Sequence, residues 1–188
     1  DERGALLMLD EIQTGLGRTG RWFGFQHEGI APDVVTVAKA LGNGMPIGAC
    51  WARAEVARAF TPGDHGSTFG GQPLAAAAAR ATLAVMEESD VPALAAAAGA
   101  HLGARLSGLP GVAGVRGQGL LLAAELERPV AKEVTARALA AGLVVNAVTE
   151  RAIRLAPPLL VSSAEIEEAV AILGRVLQAG DVAATGTA

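Results

Sequence analysis

Apolar positions follow two rhythms along the chain. Ala5 to Leu9 and Val34 to Ala38 are short unbroken runs, closed by Asp10 and Lys39 respectively. Runs of that length without alternation predict strands buried on both faces of a parallel sheet. A third run, Ile47 to Ala52, follows the turn-rich Gly42-Asn43-Gly44-Met45-Pro46, and Ala54 to Phe60 reads as a short helix. From there the rhythm is helical. Pro73 to Glu88 is rich in Ala and Leu, has no interior breaker and carries proline at its entry, which predicts a helix. Val91 to Leu109 continues as a second helix. Gly99 and Gly103 each weaken it by roughly 1 kcal/mol relative to alanine, so their small size points to close packing against a neighbour.

Leu109-Pro110-Gly111 is the expected boundary. Beyond it the pattern predicts a strand (Leu120 to Leu126), a helix (Ala131 to Ala141), two strand-like runs (Val144 to Ala147 and Ala152 to Ala156) and a closing helix. Ser162 and Glu165 supply a reciprocal start signal for that helix, and Ile166, Val170, Leu173 and Leu177 fall on one face. The expected organisation is an α/β region over residues 1–110, a smaller α/β unit over 111–178, and a mobile small-residue tail over 179–188.

Composition narrows the function classes. The 188 residues are 51% hydrophobic and 18% charged, which excludes disorder for most of the length. A net charge of −4 without any run of Lys or Arg leaves no footprint for nucleic acid. No apolar stretch approaches the ~20 residues of a membrane span, and residues 1–15 lack the layout of a signal peptide. A lone cysteine, Cys50, cannot pair internally and is expected as a buried, inert thiol, so the chain reads as soluble and cytoplasmic. His27, His65 and His101 are too dispersed for a metal site. The chain begins at Asp1, with an apolar run almost at once, and so reads as a piece of something longer.

Candidate chemistry gathers at Asp10 and Lys39, which close two predicted parallel strands. That edge of an open α/β sheet is where ligands bind. An amine held in a closed pocket shifts toward its neutral, nucleophilic form, as imine formation with an aldehyde requires. Pyridoxal phosphate is such an aldehyde, and its ring nitrogen must stay protonated, a task suited to a buried aspartate such as Asp10. Taken singly, a solvated aspartate and a surface lysine are the plainer readings. A competing motif is Gly15-Leu16-Gly17-Arg18-Thr19-Gly20, which spells a dinucleotide-binding fingerprint. The fingerprint must open a helix and be followed by an acid about 20 positions on, after the next strand. Here Arg21-Trp22-Phe23-Gly24-Phe25 follows, and Asp33 precedes the second strand, so a nicotinamide oxidoreductase is the weaker reading.

The wording around these residues resembles one family. Leu9 through Gly20, Ala31 through Gly42, His65-Gly66-Ser67-Thr68-Phe69-Gly70-Gly71 and Ile153-Arg154-Leu155-Ala156-Pro157-Pro158-Leu159 resemble, in order, the class III, fold-type I pyridoxal-phosphate aminotransferases. Within that family the likeness is to the acetylornithine aminotransferases of arginine biosynthesis. The resemblance implies the C-terminal half of such an enzyme: the later part of a large, mainly parallel-sheet domain and then a small α/β domain. It implies that Lys39 holds pyridoxal 5'-phosphate covalently and that Asp10 pairs with its ring nitrogen. Ile12 would pack on one ring face, and Gln13 would approach the phenolic oxygen. Thr68 would bind the cofactor phosphate of the neighbouring subunit of a homodimer with shared sites. Ser67 would lie beside the substrate, and Arg154 would receive a substrate carboxylate. The implied reaction moves the terminal amine of N2-acetylornithine to 2-oxoglutarate, with ornithine, succinylornithine and 4-aminobutyrate as alternative donors. Gln72 and Met45 depart from the asparagine and the aromatic common in relatives. Several cofactor contacts of full-length relatives lie upstream of anything this chain contains, so a non-catalytic fragment is the reading of a different class.

Overall fold

A computed structural model of the chain describes residues 2–185, with side chains through residue 179. It divides into two compact units, one up to Pro92 and one from Ala93 onward.

The first unit is built on a three-stranded sheet of order β1 (Met8–Asp10), β2 (Val34–Val37) and β3 (Ala49–Ala52). β1 and β2 run parallel with Met8 beside Val34 and Asp10 beside Thr36, and β3 returns antiparallel with Ala49 beside Val37. Only the central strand is buried on both faces, through Val34, Val35 and Val37, β-branched residues that suit a pleated, enclosed surface. The expectation of two-sided burial fails for the first strand. β1 is an outer strand, and Leu6, Leu7 and Met8 are 63, 42 and 66% exposed. Cys50 is likewise exposed, against expectation, because β3 is the other outer strand. The N-terminal ends of β1 and β2 are tied by Asp33, whose carboxylate accepts the Leu7 amide at 2.8 Å and pairs with Arg53 at 3.2 Å.

α1 is shorter than the sequence predicts, Ala54–Ala57. α2 (Pro73–Glu88) matches its predicted limits: Gln72 caps it by accepting the Ala75 amide at 3.0 Å, and Pro73 takes the first turn. Its buried face is Ala75, Ala79 and Met86.

The second unit is more complete. After α3 (Val91–Ser107) come β4 (Val112–Gln118), β5 (Leu121–Leu126), α4 (Ala131–Ala140), β6 (Asn146–Ala147), β7 (Ala152–Leu155) and α5 (Ser163–Thr185). The sheet is antiparallel throughout, in the order β4-β5-β7-β6. Leu122, Ala124, Leu126, Ile153 and Leu155 form one apolar face, joined to a core with Leu102 and Leu106 of α3, Val134 of α4 and Ile166, Val170 and Leu173 of α5. A Cβ on Gly99 would stand 2.1 Å from the carbonyl oxygen of Gly119, so the close approach expected of that helix is real. Ser162 and Glu165 cap α5 reciprocally, through Ser162 N–H to Glu165 Oε2 at 2.8 Å and Glu165 N–H to Ser162 Oγ at 3.3 Å. α5 continues to Thr185, into the stretch expected as a tail, and residues 186–188 lie outside those described. Among the described residues no helix is long and apolar enough to cross a membrane.

Candidate active site

The parallel register sets the site. Asp10 ends β1 beside Thr36, and β2 ends at Val37, so Lys39 leaves the sheet at the same edge two residues later. The Glu11 amide donates to the Thr36 carbonyl at 2.9 Å, locking the two chain ends together just before they diverge. A carboxylate and an amine thus rise from the C-terminal ends of adjacent parallel strands, where ligands bind in sheets of this type.

Lys39 opens a 3-10 turn, Lys39–Leu41, with φ of +39°. A side-chain-bearing residue in the left-handed region costs about 1–3 kcal/mol and persists only where the surroundings impose it. Asp10 makes a tight turn of its own, its Oδ1 accepting the Ile12 amide at 2.9 Å. Among the described residues both side chains are exposed. Asp10 sits on an outer strand and Lys39 in a turn beyond the sheet, so neither is enclosed by the described residues.

What fastens this edge is a residue that pattern reading passes over. Glu11 is 4% exposed. Its carboxylate accepts the Gly24 amide at 3.0 Å, the Phe25 amide at 2.8 Å and the Thr14 hydroxyl at 2.5 Å. Charge-assisted bonds of this kind are roughly twice as strong as neutral ones. They draw residues 11–25 into a compact loop in which the Leu16 amide reaches the Trp22 carbonyl at 2.6 Å and His27 Nε2 meets the Thr19 carbonyl at 3.0 Å. Phe23 stacks on Phe25 at 5.4 Å and meets Trp51 edge-on at 4.9 Å. Burial lowers the basicity of Arg18 in the same loop. Turns follow Gly15 to Gly20 where a dinucleotide fingerprint requires a helix, which removes the structural context of that motif. Nothing in the sequence separates buried Glu11 from exposed Asp10, although the loop is tight around it: a Cβ on Gly15 would stand 2.7 Å from the Glu11 carbonyl oxygen.

Ile12 and Gln13 are half-buried and lie in the turn directly after Asp10, so four of the sequence-predicted residues share one edge. Ser67 and Thr68 do not join them through any bond: they occupy an exposed segment before α2, and the Ser67 carbonyl accepts the Gly70 amide at 3.3 Å. Arg154 belongs to the second unit, on β7, with Ala123 of β5 and Asn146 of β6 as its cross-strand neighbours. It is half-buried. Among the described residues, no group of three or more His, Cys, Asp and Glu side chains could hold a metal ion.

The donor set can be tested against an aldehyde-bearing pyridine. Such a group needs a primary amine for its aldehyde, a carboxylate for its ring nitrogen, an apolar side chain for a ring face and a polar one for the phenolic oxygen. Lys39, Asp10, Ile12 and Gln13 supply those four chemistries from one sheet edge, so the residues present fit the group.

Comparison with known proteins agrees in kind. The family model described as aminotransferase class-III matches residues 1–177. An acetylornithine aminotransferase of Corynebacterium efficiens is 51% identical over 180 residues, covering 94% of this chain and 44% of that protein. An acetylornithine aminotransferase of Bordetella bronchiseptica is 50% identical over 176 residues, with 92% and 44% covered. Among solved structures, an ornithine aminotransferase from Toxoplasma gondii superposes with a TM-score of 0.88 at 34% identity, over 96% of this chain and 45% of that one. An acetylornithine aminotransferase from Elizabethkingia anophelis gives 0.85 at 32%, over 95% and 49%. The chain therefore spans somewhat less than half the length of the relatives it matches.

Proposed function

The chain belongs to the class-III aminotransferases, and from that premise we propose that the intact protein moves the terminal amine of N2-acetylornithine to 2-oxoglutarate, with pyridoxal 5'-phosphate as cofactor. The observation that carries the reading is Lys39: an amine held at a strained φ of +39° at the strand edge it shares with Asp10. In this reading residues 1–110 continue the large cofactor domain of the fold, residues 111–178 form the small one, and the protein works in the cytoplasm as a homodimer.

When bound, the cofactor supplies an electron sink for the pair left at the substrate carbon. Everything else falls to the protein. Lys39 Nζ is the amine that would hold the aldehyde, and its free amine would serve as the general base and acid that moves the proton at the substrate carbon. The Asp10 carboxylate keeps the ring nitrogen protonated. Ile12 packs on a ring face and Gln13 orients the phenolic oxygen. Thr68 reaches the phosphate in the neighbouring subunit, Ser67 lines the substrate, and the Arg154 guanidinium receives a carboxylate, for which its planar fork is suited.

Lys39→Ala in the intact protein is the test. It should abolish borohydride-trapped cofactor and lower the transamination rate by about 100-fold or more, the scale of a lost general base. A variant that transaminates normally would overturn the proposal. The names of the Toxoplasma relatives favour ornithine as the second donor. A panel of acetylornithine, ornithine, succinylornithine and 4-aminobutyrate with 2-oxoglutarate separates the readings, since one pocket contact shifts preference by ~1–3 kcal/mol.

A further inference from the structure

Every polar group of Glu11 is engaged, and all of them bear on one turn. Its amide donates to the Thr36 carbonyl of β2 at 2.9 Å, and its carbonyl accepts the Gly15 amide at 2.9 Å. Its carboxylate accepts the Thr14 hydroxyl at 2.5 Å, the Gly24 amide at 3.0 Å and the Phe25 amide at 2.8 Å. The Gly15 bond closes a turn with Ile12, Gln13 and Thr14 inside it, and the Thr14 bond closes the same turn a second time through side chains. Gly24 is fitted to the carboxylate from the other side: a Cβ there would stand 3.2 Å from Oε1 and 3.3 Å from Oε2.

A turn pinned in this way leaves the residues it encloses little freedom, and one of them is Gln13. We propose that Glu11 is a positioning residue for Gln13: by closing the turn through Thr14 and Gly15 it fixes how the Gln13 side chain meets the phenolic oxygen of the cofactor, and so how firmly that oxygen holds a proton. This rests on the reading of Gln13 as the neighbour of the phenolic oxygen. Glu11 itself is buried and touches neither cofactor nor substrate in this account. A hydrogen bond to that oxygen tolerates only about 2.7–3.2 Å, so a turn that drifts by an ångström loses it. The aldehyde and the phenolic oxygen are neighbours on the ring, so Lys39 Nζ on that aldehyde would share a proton with the oxygen. An N–H donated by Gln13 draws on the oxygen's charge and weakens its hold on the proton, which lowers the pH at which the proton leaves. A Gln13 that has drifted has the reverse effect.

The test is an absorbance titration of the intact, cofactor-loaded protein, which reads the pH at which the shared proton leaves. It compares the parent with Gln13→Ala, Glu11→Gln, Thr14→Val and the double variant of Gln13→Ala with Glu11→Gln. Hydrogen exchange at the Gly15 amide of the cofactor-free protein reads the turn itself. Gln13→Ala should raise the midpoint by about one pH unit, a tenfold change in the ionisation constant. Glu11→Gln should raise it by about half as much and lower Gly15 protection; Thr14→Val, which removes a donor with no change of charge, should shift both the same way. Loss of the Glu11 charge alone acts oppositely, since a nearby carboxylate favours a protonated cation, so a midpoint that falls in Glu11→Gln overturns the proposal. In the Gln13→Ala background Glu11→Gln should add no further rise. A further rise of the same size overturns the proposal too, because Glu11 would then reach the cofactor by another route. A Gln13→Ala protein with the parent midpoint removes the reading of Gln13 and the proposal with it. A shifted Gln13→Ala beside parent-like Glu11→Gln and Thr14→Val overturns the positioning role alone.

Discussion

Val35 of the first unit and Leu173 of the second are both completely buried, yet they sit in cores of different kinds. Leu173 belongs to a cluster drawn from three helices and a four-stranded sheet. Val35 has few buried apolar residues in its unit, among them Leu16, Val34, Val37 and Leu41, while Leu6, Met8, Phe60, Phe69 and Leu74 of the same region are exposed. The buried polar residues Glu11 and Thr19 both belong to the first unit. Within this chain, then, hydrogen bonds to a buried carboxylate tie the loop beside Lys39 and Asp10, whereas apolar packing dominates the second unit. That division has a physical logic: reactive groups sit on loops at a sheet edge, and loops are held by polar contacts because their backbone groups must be satisfied.

The contrast can be broken by substitution. Leu173→Ala should cost about 2–5 kcal/mol, as a filled core does on losing a leucine, measured by urea unfolding with an unchanged slope. Val35→Ala removes less apolar bulk from a thinner core and should cost about 2 kcal/mol. A larger loss at Val35 would mean that the first core is the better packed and the comparison inverted.

Glu11→Gln comes next in size. The amide keeps the shape and one acceptor oxygen, so its NH2 stands against either the Gly24 or the Phe25 amide and leaves that buried donor unmet at about 1–3 kcal/mol. Hydrogen exchange should show at least one of those two amides losing protection while Ile153, in the second core, keeps its own. Retained protection at both amides would show that packing of Phe23 and Phe25, and not the carboxylate, holds the loop.

Much of the fold was legible because local signals and burial agreed. Pro73 opened a helix whose limits match the sequence reading, and Ser162 with Glu165 marked the start of α5. β4 was missed. Gly114 and Gly117 interrupt its apolar alternation, and the strand exists through its pairing with β5, where a Cβ on Gly117 would meet the Leu121 carbonyl oxygen at 2.1 Å. Exposure was misread at Cys50 and in β1, since an apolar run does not say whether it is a central or an outer strand. At the site, Asp10 and Lys39 could be found from their strand ends, whereas Glu11 could not. Its partners Gly24 and Phe25 are backbone amides, to which residue identity gives no clue.

The smallest effect comes from the same residue type in the opposite setting. Glu167 of α5 receives Arg105 of α3 through a two-pronged pair at 2.7 and 2.8 Å and His101 at 2.8 Å, all near the surface. Arg105 first, and His101 second, hold its carboxyl below the usual glutamate range by bonding to the charged form. A depressed value in the folded state means the pair stabilises above the unfolded value, roughly pH 4.3, and the contribution is lost as pH falls through the lower folded value. The Tm difference between the parent and Glu167→Gln should therefore be constant near neutrality, shrink below about pH 4.3, and shrink at neutral pH in about 1 M salt. Buried Glu11 is shielded from that salt, so the Glu11→Gln difference should hold where the Glu167→Gln difference fades. A Glu167 effect that survives both acid and salt would mean the carboxylate acts through packing of its stem against α3, and that the second unit's surface ties are not electrostatic at all.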